Sequence, residues 1–163
     1  MLNARKSVDR NHAYPEECYQ ELFKSSEELN KLYNEYTEEN EFLSKPTLNF
    51  AQTAWAHIER LKCSRTDFVQ KTLLSESIYD QLLGNRIPRP SFQTVMQFCV
   101  GLALGSVFGE QLLELAGYKL NSQQLAYKKI LHSYCGHSIY ECDAVLVALG
   151  SPSIIPGQYQ VGI

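Results

Sequence analysis

The stretch Ser64-Arg65-Thr66-Asp67-Phe68-Val69-Gln70-Lys71-Thr72-Leu73-Leu74-Ser75-Glu76-Ser77-Ile78-Tyr79-Asp80-Gln81-Leu82-Leu83-Gly84-Asn85 decides the fold. It holds two helix start signals and one stop. Ser64, with Asp67 three residues on, has the spacing of a capping box, although Asp is the less usual acid in that place. Phe68 and Val69 are the apolar residues of the helix so opened. Ser75 caps a second helix, with Leu74, Tyr79 and Leu82 turned inward and Gly84-Asn85 closing it. The outward side of that helix is polar: Ser75, Glu76, Ser77, Asp80 and Gln81. The loop Arg86-Ile87-Pro88-Arg89-Pro90 cannot be regular helix, because proline lacks the amide hydrogen and clashes with the preceding turn.

Helical signals continue on both sides. Upstream, Phe50, Ala54, Ile58 and Leu61 line one face. Downstream, Ser91 caps a helix that buries Val95, Phe98, Cys99 and Leu102, and Ser106 is expected to cap the next, through Leu112, Leu113 and Leu115 to Gly117. Asn121-Ser122 opens a helix with Leu125, Ile130 and Leu131; Gly136 turns the chain; Ser138 and Glu141 cap a last helix ending at Gly150. In the N-terminal part, Pro15 with Glu16 and Glu17 starts a helix, and Cys18, Leu22, Ser25, Leu29, Leu32 and Tyr36 form a heptad-like seam as far as Lys45-Pro46. No strand-period run of useful length appears, so the expected class is all-α. The expected parts are an acidic arm (1–48), a five-helix domain (49–120), a helical hairpin packed on it (121–150) and an irregular tail (151–163).

The residues from Arg65 to Phe92 resemble the lambda-repressor-like helix-turn-helix family, in its xenobiotic-response-element branch. Arg65, Val69, Leu73, Leu74-Ser75 and Pro90-Ser91-Phe92 hold the places of that pattern. The resemblance covers 49–117. Leu115-Ala116-Gly117-Tyr118 also resembles a group of Firmicute proteins that append a helical hairpin, which extends it to about 150. It implies that the second helix of the pair enters the major groove while the first crosses the backbone. Arg65 would then face a phosphate, Arg86 and Arg89 would clamp the far side, and Ser75, Glu76, Ser77, Asp80 and Gln81 would face the groove. The chain departs from the pattern at Val69, where Ala is usual, and at Leu73, where Gly is. A left-handed backbone costs a non-glycine residue about 1 kcal/mol, which favours a reshaped turn.

Charge complicates the DNA reading. Residues 1–48 hold 6 Lys and Arg against 10 Asp and Glu, while 49–120 hold 7 against 6, far from a strong basic footprint. Glu76 and Asp80 are also i, i+4 neighbours that repel phosphates and each other. Two functions are therefore carried forward. One is a DNA-binding transcriptional regulator of bacterial or mobile-element origin, without a cofactor. The other is a non-catalytic adaptor or inhibitor that uses the same scaffold to hold a protein. Self-association through the N-terminal helix or the C-terminal hairpin fits either.

Other chemistry has little support. His132, Cys135, His137 and Cys142 match no standard zinc spacing and are expected to be packing residues, with the two thiols buried. Cys18, Cys63 and Cys99 sit in apolar contexts and are expected in the core. Gly101, Gly105 and Gly109 are expected to let the fourth and fifth helices of the domain approach and turn sharply. Tyr127, Tyr134 and Tyr140 read as edge-of-core residues or as an interface. No nucleophile elbow, zincin or phosphate-loop motif occurs, so no enzyme activity is expected. An odd count of 5 cysteines, no apolar leader near Arg5, Lys6, Asp9 and Arg10, and no long apolar run make a cytoplasmic protein without membrane contact the expectation.

Overall fold

Side-chain oxygens set where most of the helices begin. The computed structural model describes residues 26–44, 48–87 and 89–157, which belong to two units, Met1–Pro46 and Thr47–Ile163. Among the described residues there are eight α-helices and no strand, so the fold class is all-α.

The first unit contributes α1 (Ser26–Leu43). Of the seam residues that are described, Leu29 is buried, while Leu32 and Tyr36 are 51% and 63% exposed. Cys18, Leu22, Ser25 and the helix start at Pro15 lie outside the described residues.

The second unit runs α2 (Phe50–Arg60), α3 (Arg65–Thr72), α4 (Glu76–Leu83), α5 (Phe92–Gly101), α6 (Gly105–Leu115), a 3-10 turn (Ser122–Gln124), α7 (Leu125–Ser133) and α8 (Ile139–Ala148). Ser64, Ser75, Ser91 and Ser138 each accept, through the hydroxyl oxygen, an amide hydrogen from the third residue onward. Asn49 and Gln52 form a full capping box at α2. Ser106 does not cap α6. The chain swings into that helix through left-handed Gly105 (φ +82°), which leaves Ser106 inside the first turn, and the residue before the helix, Leu104, makes no side-chain cap. Leu61 is 40% exposed rather than inward, because α2 ends at Arg60 and the chain reverses through Lys62 (φ +51°).

Helix α5 is the hub, packed on α3, α6, α7 and α8; α4 rests on α2 and α3. Phe68, Leu82, Val95, Met96, Phe98, Leu112 and Leu113 are nearly inaccessible. Of the three spaced glycines, Gly105 makes the sharp turn expected between the fourth and fifth helices of the domain, while Gly101 serves a different neighbour. A Cβ on Gly101 would lie 2.4 Å from the Lys71 carbonyl oxygen, so this glycine lets α5 meet the end of α3, not α6. Gly105 makes the turn into α6, and a Cβ on Gly109 would crowd Leu131 of α7 at 3.1 Å.

Nor is the start of the tail loose. The buried Asp143 carboxylate accepts hydrogen bonds from the Ser153 hydroxyl (2.8 Å) and the Ile154 amide (2.7 Å). Gln93 Nε2 donates to the Ile154 carbonyl at 2.9 Å, and Ile154 and Ile155 are buried. Residues 151–157 are irregular in backbone but are part of the packed unit.

Candidate functional site

Three residues, Leu73 to Ser75, connect α3 to α4. Leu73 adopts φ 59°, ψ 18°, so the turn keeps the left-handed backbone that Gly usually supplies and is not reshaped. Its surroundings hold it there. The Thr72 hydroxyl donates to the Phe68 carbonyl (2.6 Å) and accepts from the Leu74 amide (3.1 Å). Buried Gln97 on α5 donates through Nε2 to the Thr72 carbonyl at 3.2 Å and lies 3.5 Å from that of Leu73. The turn's inward carbonyls are thereby tied to the hub helix, where Gly101 provides the room.

Aromatic edges fix how α4 lies on its neighbours. Tyr79 meets Phe68 at 5.3 Å and Trp55 at 5.1 Å between ring centroids, both edge-on, and its hydroxyl donates to the Cys63 carbonyl at 3.4 Å. Leu82 is buried beneath the helix, and Asn49 Nδ2 donates to Asn85 Oδ1 at 2.9 Å across the far end. The first turn of α4 is left bare: Ser75, Glu76 and Ser77 are all exposed.

The charged residues are linked in a way that the sequence does not show. Arg65, expected to face a phosphate, stands at the start of α3 and pairs with Asp80, expected to repel one. Arg65 Nη2 lies 2.7 Å from Asp80 Oδ1, with the guanidinium 5.7 Å from the Tyr79 ring centroid. Arg86 folds back and donates to the backbone carbonyl of the same Asp80 at 3.4 Å. Arg65, Asp80 and Arg86 therefore converge, whereas Arg89 lies apart, with its Nη2 3.6 Å from where a Cβ on Gly117 would stand at the end of α6. Gln81 Nε2 donates to Ser77 Oγ at 3.1 Å, and Ser75 Oγ is engaged as the cap. From Leu61 to Ser91 the chain holds five Lys and Arg against three Asp and Glu, a mild positive excess.

Sequence reasoning overlooked Thr72, Gln97 and the target of Gly101. One signal was available: Gln97 is a lone amide inside the apolar run Val95-Met96-Gln97-Phe98, and a buried amide needs partners. The exposed cations Lys62 and Lys71 were also passed over.

The His and Cys residues near the hairpin turn are dispersed. His137 Nδ1 lies 2.9 Å from Glu141 Oε2, while Cys142 is buried and its thiol donates to the Tyr134 carbonyl at 3.5 Å. Cys135 is exposed rather than buried, with its thiol 3.3 Å from the Ala103 carbonyl. His132 is exposed. Cys99, Cys135 and Cys142 border one narrow gap, but among the described residues no three His, Cys, Asp or Glu side chains come together as a metal-holding group. Burial pushes the Cys99 thiol up and holds that of Cys142 at about 11, so both stay protonated at neutral pH. Among the described residues no helix is long and apolar enough to cross a membrane.

Comparison with family models, curated proteins and solved structures gives no match.

Proposed function

We propose that the second unit is a lambda-repressor-like helix-turn-helix domain that binds double-stranded DNA as a transcriptional regulator of bacterial or mobile-element origin. One observation carries this reading: α4 presents a bare, polar first turn at the end of a turn locked to the hub helix. That is what a helix needs if it is to enter a major groove without losing its orientation. Ser75, Glu76 and Ser77 are exposed there, and the positive end of a helix dipole suits an approaching phosphate.

The roles divide by chemistry. Gln81 and Ser77 are the base readers. One amide hydrogen of Gln81 is spent on Ser77, and its second hydrogen and its carbonyl oxygen remain for adenine. Arg86, Lys71 and Arg65 supply phosphate contacts, and Arg89 reaches a more distant phosphate. Pairing with Arg65 offsets most of the repulsion between Asp80 and DNA. Glu76 is left as the acid that selects, since a carboxylate accepts from the amino group of cytosine.

A second reading, a protein-binding adaptor, is favoured by the same pairing. Arg65 and Asp80 spend their charges on each other, and a weakly charged, rigid face also suits a protein. Selection of bound fragments from a random duplex pool, followed by titration at two salt concentrations, separates the two. A regulator enriches a defined site and shows a salt slope of about −3, for three to four phosphate contacts. No enriched site, with binding abolished by moderate salt, refutes the DNA reading and leaves the adaptor.

A further inference from the structure

We propose that the outward face of α8 is the surface through which two copies of this chain pair. The helix, Ile139–Ala148, carries only Glu141 and Asp143 as charged residues. Its inner side, Ile139, Cys142, Asp143 and Leu146, is buried, and the Asp143 carboxylate is satisfied by Ser153 and Ile154. The opposite side holds Tyr140 and Val147, 44% and 52% exposed, with Ala144 and Ala148 also exposed. Among the described residues, nothing covers that apolar side.

The face is complementary to itself. Tyr140, Ala144 and Val147 recur at i, i+4, i+7 and share one stripe. An antiparallel crossing centred on Ala144 sets Tyr140 of each copy on Val147 of the other. The small side chain at the crossing lets the axes come close. Glu141 borders the stripe, but its carboxylate is drawn back to His137 Nδ1 at 2.9 Å and Ser138 Oγ at 3.1 Å. The two copies of Glu141 then lie at opposite ends of the contact. An isologous contact of this kind meets no like charge.

Another exposed apolar set among the described residues, Leu32, Tyr36 and Leu43 on α1, fails on charge. That helix carries six Glu against one Lys, so two copies repel. Pairing through α8 also spares the candidate DNA face, since α8 packs on α5 and α7 and α4 rests on α2 and α3. The pairing holds whichever partner α4 takes.

The contact is about 15 Å long, which places it at the small end of specific interfaces, below roughly 1,200 Å² in total, and makes a dissociable dimer. Sedimentation velocity of the full chain without DNA, from about 1 to 100 µM, tests it. The mass should move from monomer to dimer across that range. Val147→Lys and Tyr140→Glu should each weaken dimerisation at least about tenfold while leaving the helical circular dichroism unchanged, since both positions are half exposed. An equimolar mixture of the two variants should regain dimer, because the carboxylate introduced in one copy then meets the ammonium introduced in the other across the crossing. A wild-type mass that stays monomeric throughout overturns the proposal. So does a dimer that survives Val147→Lys but dissolves with Leu32→Lys. A mixture that stays monomeric overturns the antiparallel register.

Discussion

Substituting Leu73 separates two opposed effects at the turn between α3 and α4. The side chain is 9% exposed, so truncating it removes nearly a full leucine from the core. Such truncations cost about 2–5 kcal/mol, and a turn residue at the core's edge belongs at the low end, about 2 kcal/mol. Against this stands the backbone at φ 59°, which strains any residue with a Cβ by about 1–2 kcal/mol and glycine not at all. Leu73→Ala loses the packing and keeps the strain. Leu73→Gly loses the packing and sheds the strain, at about 0.5–1 kcal/mol of extra freedom in the unfolded chain. Both variants should therefore fall below the wild type. Glycine should exceed alanine by about 0.5–1 kcal/mol, the reverse of their order in a helix interior. Urea unfolding midpoints at a common slope resolve such a difference. If alanine proves the more stable of the two, Leu73 is not left-handed in solution. If glycine matches the wild type, the buried side chain contributes nothing, and packing is not what offsets the strain.

Three further outcomes follow from named contacts. Asp80→Asn should free Arg65, tighten DNA binding severalfold and steepen the salt slope by about one, with under about 0.5 kcal/mol of stability lost because the pair is half exposed; fluorescence anisotropy at two salt concentrations reads it, and weaker binding would mean that the bridge positions Arg65. Ser138→Ala should cost about 1 kcal/mol in thermal or urea unfolding by removing the acceptor for the Glu141 amide, and an unchanged midpoint would place the start of α8 elsewhere. His57 is buried, accepts from Arg60 Nη2 at 3.1 Å through Nδ1, and has its pKa pushed down to about 3 by burial and then by the Arg60 charge. The unfolded chain, titrating near the ordinary value of about 6.5, binds a proton that the folded chain refuses. This contribution to stability is therefore complete above about pH 6.5 and shrinks as pH falls towards 3, by up to about 1.4 kcal/mol per pH unit; a His57→Gln chain with the same pH slope would assign the loss to other groups.

Helix starts and the all-α class were legible because both rest on local chemistry. Four serines at Ser64, Ser75, Ser91 and Ser138 announce their helices through oxygens that act within one turn. Ser106 failed where the same signal met a glycine one residue earlier, whose left-handed turn begins the helix without a cap. What needed the folded chain was long-range. Nothing local says that Gly101 serves the end of α3, thirty residues back, or that Asp143 reaches forward to Ser153 and Ile154. The α1 seam shows the same division: a heptad pattern states which residues share a face, not what covers them, and among the described residues Leu29 is buried while Leu32 and Tyr36 are exposed.

The candidate site shows the same limit in its electrostatics. As a sequence, Arg65 counts as a cation for phosphates and Asp80 as an anion against them, fifteen positions apart and unrelated. The turn at Leu73 reverses the chain so that the start of α3 faces the middle of α4, and the two charges become one neutral bridge. The same reversal brings Arg86 onto the carbonyl of Asp80. A net charge summed along the chain therefore understates how much of the α4 face is electrically quiet. It also hides that Glu76 is the acid on α4 without that bridge. Whether α4 tolerates a phosphate backbone depends less on the count of charges than on how readily Arg65 leaves Asp80 for a stronger anion. A half-exposed pair worth under about 1 kcal/mol is weak enough for that exchange.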